Sequence, residues 1–285
     1  MSTLTRRKLA PGGALRLVIA CLFLLCAGLS ALSHADTRAV EGFTVDEVVL
    51  RGSSELKIVA GDRNRLLVKG DTDELDMAPF YVRGESLWLG RSTAGATAND
   101  VQYLLEVDRL ERIVLKGSGD IWVDPVEVDS LEVSVEGSGA IYMHDVKASR
   151  LDVTVAGSGT LQLARAQAAT LSVELAGSGD IDLGKLIVQR MVVELAGSGD
   201  ITAAAESQDG RVDSIDVSVA GSGEVDLADL VARVVEVNIL GSGDVSVHAE
   251  AQLTGNIMGS GDVLYRGNPE VDANTMGSGE VSRLD

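Results

Sequence analysis

The chain is short of cysteine and histidine, and each shortage excludes a class of chemistry. Both cysteines, Cys21 and Cys26, lie in an apolar segment near the N-terminus. A chain without that segment has no cysteine, so neither disulfides nor thiolate-bound metals can stabilise it. Beyond residue 35 only His144 and His248 remain. They lie several repeats apart, which excludes a site built on a histidine pair.

Basic residues are also few. The 24 Lys and Arg side chains are outnumbered by 43 Asp and Glu, which gives a formal net charge of −19 at pH 7. Residues 1–35 carry four positive charges and no negative one, so without them the net charge is −23. Such a surface repels nucleic acid and anionic lipid. We therefore expect no nucleic-acid partner.

The N-terminus has the pattern of an export signal. Arg6, Arg7 and Lys8 precede an apolar run over residues 14–32, and Ser33-His34-Ala35 has the small residues of a signal-peptidase site. We predict that residues 1–35 are a signal peptide removed after Ala35. The protein is then periplasmic or secreted, with the cell surface as a further location, and we expect no stable membrane insertion. The alternative is a retained membrane anchor, because the run is near spanning length. Export holds in either case.

Glycine, by contrast, is abundant and periodic. Nine Gly-Ser-Gly triplets recur at spacings of 20, 20, 20, 20, 24, 20, 18 and 18 residues, beginning at Gly117, Gly137, Gly157, Gly177, Gly197, Gly221, Gly241, Gly259 and Gly277. A fixed period of this size indicates stacked repeats in which each unit buries its apolar side against its neighbours.

The residues around each triplet alternate. Leu131, Val133 and Val135 precede one triplet at every second position, and Ile141 and Met143 follow it. Period-two alternation is typical of strands with one buried face. Because the same slots are aliphatic in the next repeats, equivalent strands stack in parallel, about 4.8 Å apart, with right-handed crossovers. The prediction is an all-β, right-handed, single-stranded parallel β-helix (β-solenoid) with coils of about 20 residues.

Residues 110–285 form the regular repeats, and residues 36–109 are expected to form irregular N-terminal coils and a cap. Glycine suits the corners because it accepts positive φ and leaves room for the neighbouring coil. We expect a mobile loop over residues 92–99. The longer spacing after the fifth triplet predicts a second loop, over residues 206–211.

The triplets carry a resemblance to a known family. Gly117-Ser-Gly-Asp-Ile121 recurs as Gly177-Ser-Gly-Asp-Ile181, Gly197-Ser-Gly-Asp-Ile201 and Gly241-Ser-Gly-Asp-Val245. With this string, the chain from about Val40 resembles the head GIN domain family, exported bacterial proteins described as auto-transporter adhesin heads. The resemblance implies a right-handed β-helix with an adhesin-like role, and it brings no catalytic residues.

The residue after each triplet is acidic in the last six repeats. These positions form the carboxylate column, namely Asp180, Asp200, Glu224, Asp244, Asp262 and Glu280. Like charges about 4.8 Å apart repel, and Ca²⁺ between coils would relieve that repulsion through oxygen ligands. The alternative is that each side chain bonds the N–H groups of its own turn. No other cofactor is expected.

Two surface features suggest partners. Trp122 and Tyr142 occupy the same outward slot in adjacent coils, with His144 nearby. Exposed aromatics can bind a sugar or a protein. Alternatively, a cap containing Phe80, Tyr81 and Trp88 covers them.

The slot before each triplet is apolar in the later repeats, with Ala156, Ala176, Ala196, Ala220, Leu240, Met258 and Met276. Packing inside the corner is the favoured interpretation. The alternative is an exposed stripe facing a second subunit, which leaves a homo-oligomer open.

The acidic residues fall on repeating outward slots and do not cluster at one coil, and the serines that recur in every repeat are the central residues of the triplets. A glycosidase pair of carboxylates or a Ser-His-Asp arrangement therefore has no motif. We expect a non-enzymatic exported β-solenoid, adhesin-like or envelope-associated, that binds or scaffolds a protein or glycan partner. The alternative is a polysaccharide-acting β-helix lyase or hydrolase, because this fold also carries such enzymes.

Overall fold

The computed structural model describes residues 36–98, 100–206 and 211–284. The predicted signal peptide, 1–35, lies outside the described residues. In the described part, strands dominate and the one helix, α1, spans Thr72–Asp76. No helix there is long and apolar enough to cross a membrane.

The N-terminal elements include antiparallel pairs. The strands are β1 (Asp36–Glu41), β2 (Glu47–Gly52), β3 (Glu55–Ala60), β4 (Arg65–Gly70), β5 (Phe80–Arg83), β6 (Ser86–Leu89) and β7 (Gln102–Val107). Strand β4 pairs antiparallel with β1 and with β7, and β5 pairs antiparallel with β6. Strand β6 pairs in parallel with β2, and β7 with β3, on the edges opposite the later coils. The division at residue 110 stays a prediction.

From residue 112 onward each repeat stacks on the previous one. The strands are β8 (Arg112–Gly117), β9 (Asp120–Val123), β10 (Val126–Glu127), β11 (Ser130–Gly137), β12 (Ala140–Gly157), β13 (Thr160–Gly177), β14 (Asp180–Gly197), β15 (Ile201–Ala205), β16 (Arg211–Gly221), β17 (Glu224–Gly241), β18 (Asp244–Gly259), β19 (Val263–Gly267), β20 (Glu270–Gly277) and β21 (Val281–Arg283). They pair in parallel and wind into a β-solenoid of about eight turns. The predicted all-β solenoid is confirmed.

The core consists of the aliphatic columns that the alternation predicts. Leu131 is in register with Leu151, which pairs with Leu171, and all three are fully buried. Residues between them point outward. We call the outer surface of the segments that end at a triplet the pre-triplet face, and that of the segments that follow it the post-triplet face.

The triplets are corners where backbone touches backbone. Gly197 has φ +143, and a Cβ added there would lie 1.9 Å from the carbonyl oxygen of Gly177 in the preceding coil. The same oxygen accepts a hydrogen bond from the N–H of Ser198 at 2.9 Å. Only glycine allows this approach, which explains why the triplet recurs at every turn.

The sequence predicts two loops. In the first, residues 92–98 form a turn: Arg91 bridges Thr97, the N–H of Ser92 donates to the Ala96 carbonyl, and Ala98 is buried. The mobility expected for this loop stays a prediction. Of the second loop, residues 207–210 lie outside the described residues. Glu206 forms an ion pair with Arg165 at 2.9 Å.

Candidate functional site: an aromatic groove on the post-triplet face

The stacking register brings two aromatic side chains together. β9 carries Trp122 and β12 carries Tyr142, and the two residues are register partners. Their rings stack with centroids 5.7 Å apart and planes 16° from parallel. Trp122 remains 37% exposed. Each ring therefore covers one face of the other, while Trp122 is exposed and Tyr142 is half-buried.

The predicted capping aromatics Tyr81 and Trp88 do not cover this pair. Tyr81 and Trp88 stack on each other instead, with centroids 5.9 Å apart, and the Arg51 guanidinium lies 4.7 Å from the Trp88 ring centre. Trp88 is in register with Val49, which places it beside the pre-triplet face. The interpretation that a cap folds over Trp122 and Tyr142 is wrong, because these capping aromatics pair among themselves.

A groove of about 430 Å³ runs past the aromatic pair. We call it the aromatic groove. Its polar lining comprises Lys57, Asp124, Tyr142, His144, Gln162 and Asp182. The structure thus brings His144 to the same groove as both aromatics. Lys57 forms an ion pair with Asp124 at 3.0 Å, so the groove presents cationic, anionic, amide and imidazole groups side by side.

Sequence reasoning missed several lining residues. Lys57 lies in the degenerate first coil, yet it is the register partner of Trp122, and the alternation around it could have revealed its outward position. Gly184 had no such signal. It has φ +47 at an irregularity of the β14 register, its N–H donates to Asp182 Oδ1 at 3.0 Å, and a Cβ would meet the Leu163 carbonyl at 2.5 Å.

The carboxylate column, predicted as a cation site, also bonds backbone groups. Asp244 Oδ1 accepts from the N–H of Asp262 at 2.9 Å, and Asp262 Oδ1 accepts from the N–H of Glu280 at 2.8 Å. Asp180 and Asp200 make the same bond to the coil that follows. The partner is thus the next coil's N–H and not the side chain's own turn.

Within the described ranges no group of three or more His, Cys, Asp or Glu side chains is placed to hold one metal ion. The carboxylates make their backbone bonds without an ion. The calcium site stays a prediction.

The apolar column before the triplets points outward. Leu240 is 61% exposed, Met258 50% and Met276 73%. The favoured interpretation of packing inside the corner is therefore wrong. Strand alternation continues up to the first glycine of the triplet, which keeps this slot on the outer side.

The fold and the groove define a repeat protein, a β-solenoid with a groove on its outer surface. The family model described as "Putative auto-transporter adhesin, head GIN domain" matches residues 44–208 and 206–269. The chain belongs to this family. No functionally curated relative matches it.

Solved structures share the fold. A crystal structure described as "Putative lipid binding protein" from Parabacteroides distasonis is 26% identical with a TM-score of 0.63, covering 88% of this chain and 97% of its own. One described as a "putative adhesin" from Parabacteroides merdae is 18% identical with a TM-score of 0.65, covering 88% and 96%. A second "putative adhesin", from Parabacteroides distasonis, is 19% identical with a TM-score of 0.64, covering 88% and 97%. The two adhesin-described neighbours bear on the fold alone.

Proposed function

We propose that the protein is an exported, non-enzymatic, adhesin-like binding protein and that the aromatic groove takes up a glycan of the cell envelope. Membership of an adhesin head family supports the adhesin-like role. The observation that supports glycan binding is the stacked Trp122–Tyr142 pair, which is flanked in one groove by cationic, anionic, amide and imidazole side chains.

The chemistry of the groove suits a polyhydroxylated ligand. Sugar hydroxyls both donate and accept hydrogen bonds. Asp124 and Asp182 accept, Lys57 donates, and Gln162 does both. The ring edges provide apolar contact for sugar C–H groups. A highly anionic ligand is disfavoured, because the protein carries a large negative net charge.

The groove also runs with the stacking direction of the coils. Lys57, Trp122, Tyr142, Gln162 and Asp182 occupy one outward column at successive rungs, linked by the strand register. Rungs about 4.8 Å apart come close to the length of one sugar unit in an extended chain. A linear glycan along the column would therefore meet a new side chain at each unit.

The test is glycan binding by the chain from Asp36. Purified envelope glycans are titrated by calorimetry and by fluorescence, since Trp122 is one of only two tryptophans. Tyr142→Ala and Trp122→Ala should each weaken binding by about tenfold, the size expected for loss of an aromatic contact. Tyr81→Ala is the matched control, because it removes one ring of the other stacked pair. It should bind as the parent does.

Three results would contradict the proposal. Equal glycan affinity of Tyr142→Ala and Tyr81→Ala would remove the groove as the site. Release of shorter sugars during prolonged incubation would establish the polysaccharide-acting alternative in place of a non-enzymatic role. Binding of a purified envelope protein through Trp122, with no glycan bound, would show that the ligand is a protein and not a glycan.

A further inference from the structure

A second surface of the solenoid is apolar where it should be polar. Eight large apolar side chains are exposed among residues 36–98, 100–206 and 211–284, and three of them occupy one column of the pre-triplet face. Leu240 is in register with Met258, and Met258 with Met276. A contiguous apolar patch of this kind is typical of an interaction site.

The column changes character along the solenoid. It begins with Lys116 and Glu136, an ion pair at 2.7 Å, and continues through four alanines to Leu240 and the methionines. The apolar part, from Ala156 to Met276, spans seven rungs, or about 29 Å at the spacing of parallel strands. That length matches a helix of about 20 residues.

A groove of about 400 Å³ lies along this column. We call it the apolar groove. Its lining includes the small side chains Ala196 and Ala220 and the exposed side chains Leu240 and Met258, while the inward residues Leu195 and Val219 beside them are buried. Long, flexible methionine side chains adapt to varied apolar partners.

The asparagine side chains beside the apolar column form hydrogen bonds with one another. Asn256 Nδ2 donates to Asn238 Oδ1 at 2.9 Å, and Asn274 Nδ2 donates to Asn256 Oδ1 at 3.4 Å. A partner can cover these amides with fewer polar groups left unpaired, which lowers the cost of desolvation. Beside Leu240, Met258 and Met276, the border of the apolar column is therefore neutral and internally bonded.

The charges around the groove select the partner. Glu174 and Glu194 line the apolar groove in the same outward column as Asn238 and Asn256, Asp216 and Glu236 occupy the next outward column, and the carboxylate column follows the triplets. Among the described residues that line the groove, none is basic. A second copy of this chain would place like charges against each other. A cationic partner is favoured instead.

We propose that the apolar groove docks a basic amphipathic helix of a partner protein, lying along the solenoid axis. Apolar residues of such a helix recur about every 5.4 Å along one face, close to the rung spacing. They would rest on the alanines and between Leu240 and the methionines. Lysine and arginine on either side of the helix would face the two acidic borders.

The test uses a fluorescein-labelled synthetic peptide of about 20 Leu and Lys residues in amphipathic helical order. Anisotropy titrations are run with the chain from Asp36 at low and physiological salt. The double variant Leu240→Gln, Met258→Gln should weaken binding by about tenfold or more, since it removes apolar contact without changing charge. Ile187→Gln is the control: that residue is 43% exposed elsewhere on the solenoid, and the variant should bind normally.

Two further arms decide the nature of the occupant. A peptide of identical composition with its apolar face scrambled should bind at least tenfold more weakly, and raising salt should weaken the amphipathic peptide. Equal binding of the scrambled peptide, or of the double variant and the Ile187→Gln control, would overturn the proposal.

A concentration-dependent dimer by light scattering that the double variant abolishes would assign the surface to a second copy. Binding of neutral lipid vesicles lost in that variant, with no peptide bound, would assign it to lipid. Either result overturns the proposal and leaves the glycan proposal, which rests on the other face, untouched.

Discussion

The corner glycines offer the sharpest test of how the coils are held together. In Gly197→Ala, the new Cβ would lie 1.9 Å from the Gly177 carbonyl oxygen, a backbone atom that no side-chain rotation can move. An ordinary contact needs a separation of about 3.4 Å, so the two coils must move apart locally. That movement lengthens the bond from the Ser198 N–H to the same oxygen, now 2.9 Å.

The expected loss of stability has two parts. Holding a non-glycine residue at φ +143 costs about 1–3 kcal/mol. Leaving a buried backbone donor or acceptor without its partner costs about 1–3 kcal/mol more. Gly197→Ala should therefore lower the free energy of unfolding by about 2–6 kcal/mol, a large share of the stability of a typical domain.

Urea unfolding followed by far-ultraviolet circular dichroism measures this loss. Gly42→Ala is the matched control, because Gly42 also has positive φ, +85, but nothing lies within 4 Å of its added Cβ. It should lose only about 1 kcal/mol from backbone strain. Equal destabilisation by the two variants would refute the reasoning that contact between coils, rather than local backbone conformation, requires glycine at the corners.

Two further predictions concern ionisable groups. Burial raises the pKa of the Tyr103 hydroxyl, which donates to the Pro79 carbonyl and accepts from the Gly90 N–H; its contribution to stability is therefore present below about pH 10 and is lost as the pH rises through the raised pKa. Tyr103→Phe should cost about 1–3 kcal/mol at pH 8 in urea unfolding and should remove that alkaline loss, so an unchanged pH profile contradicts the assignment. If the carboxylate column binds Ca²⁺, millimolar Ca²⁺ should raise the melting temperature and a chelator should reverse the rise; an unchanged melting curve rejects the cation.

The groove shows where sequence reasoning stops short of the site. Trp122 and Tyr142 occupy the same slot of adjacent repeats, so their proximity could be deduced from the period. Lys57 comes from the first, degenerate coil, and Asp182 and Gly184 lie beside a register irregularity. Their meeting in one groove depends on how coils stack across many residues, which no local pattern encodes.

The direction of the apolar column was mispredicted for a similar reason. Alternation alone assigns Leu240 to the outer side, but an apolar residue beside a corner also suits packing inside it. The structure decides for the outside, because the chain stays extended up to the glycine. The asparagines beside it occupy the same slot of successive repeats, but which amide group bonds to which depends on side-chain orientations that only the structure gives.

The sequence by itself determined the repeat length, the buried aliphatic slots and the parallel stacking. Each repeat has the same alternation of apolar and polar residues and can bury its apolar side chains only against the equivalent side chains of the adjacent repeats. Tertiary structure alone decided what surrounds these slots: the place of Lys57 beside the stacked Trp122–Tyr142 pair, the bonds from carboxylates to the next coil, and the outward direction of the apolar column that ends at Met276. The physical reason is that alternation acts along one strand, whereas a surface arises from contacts between coils.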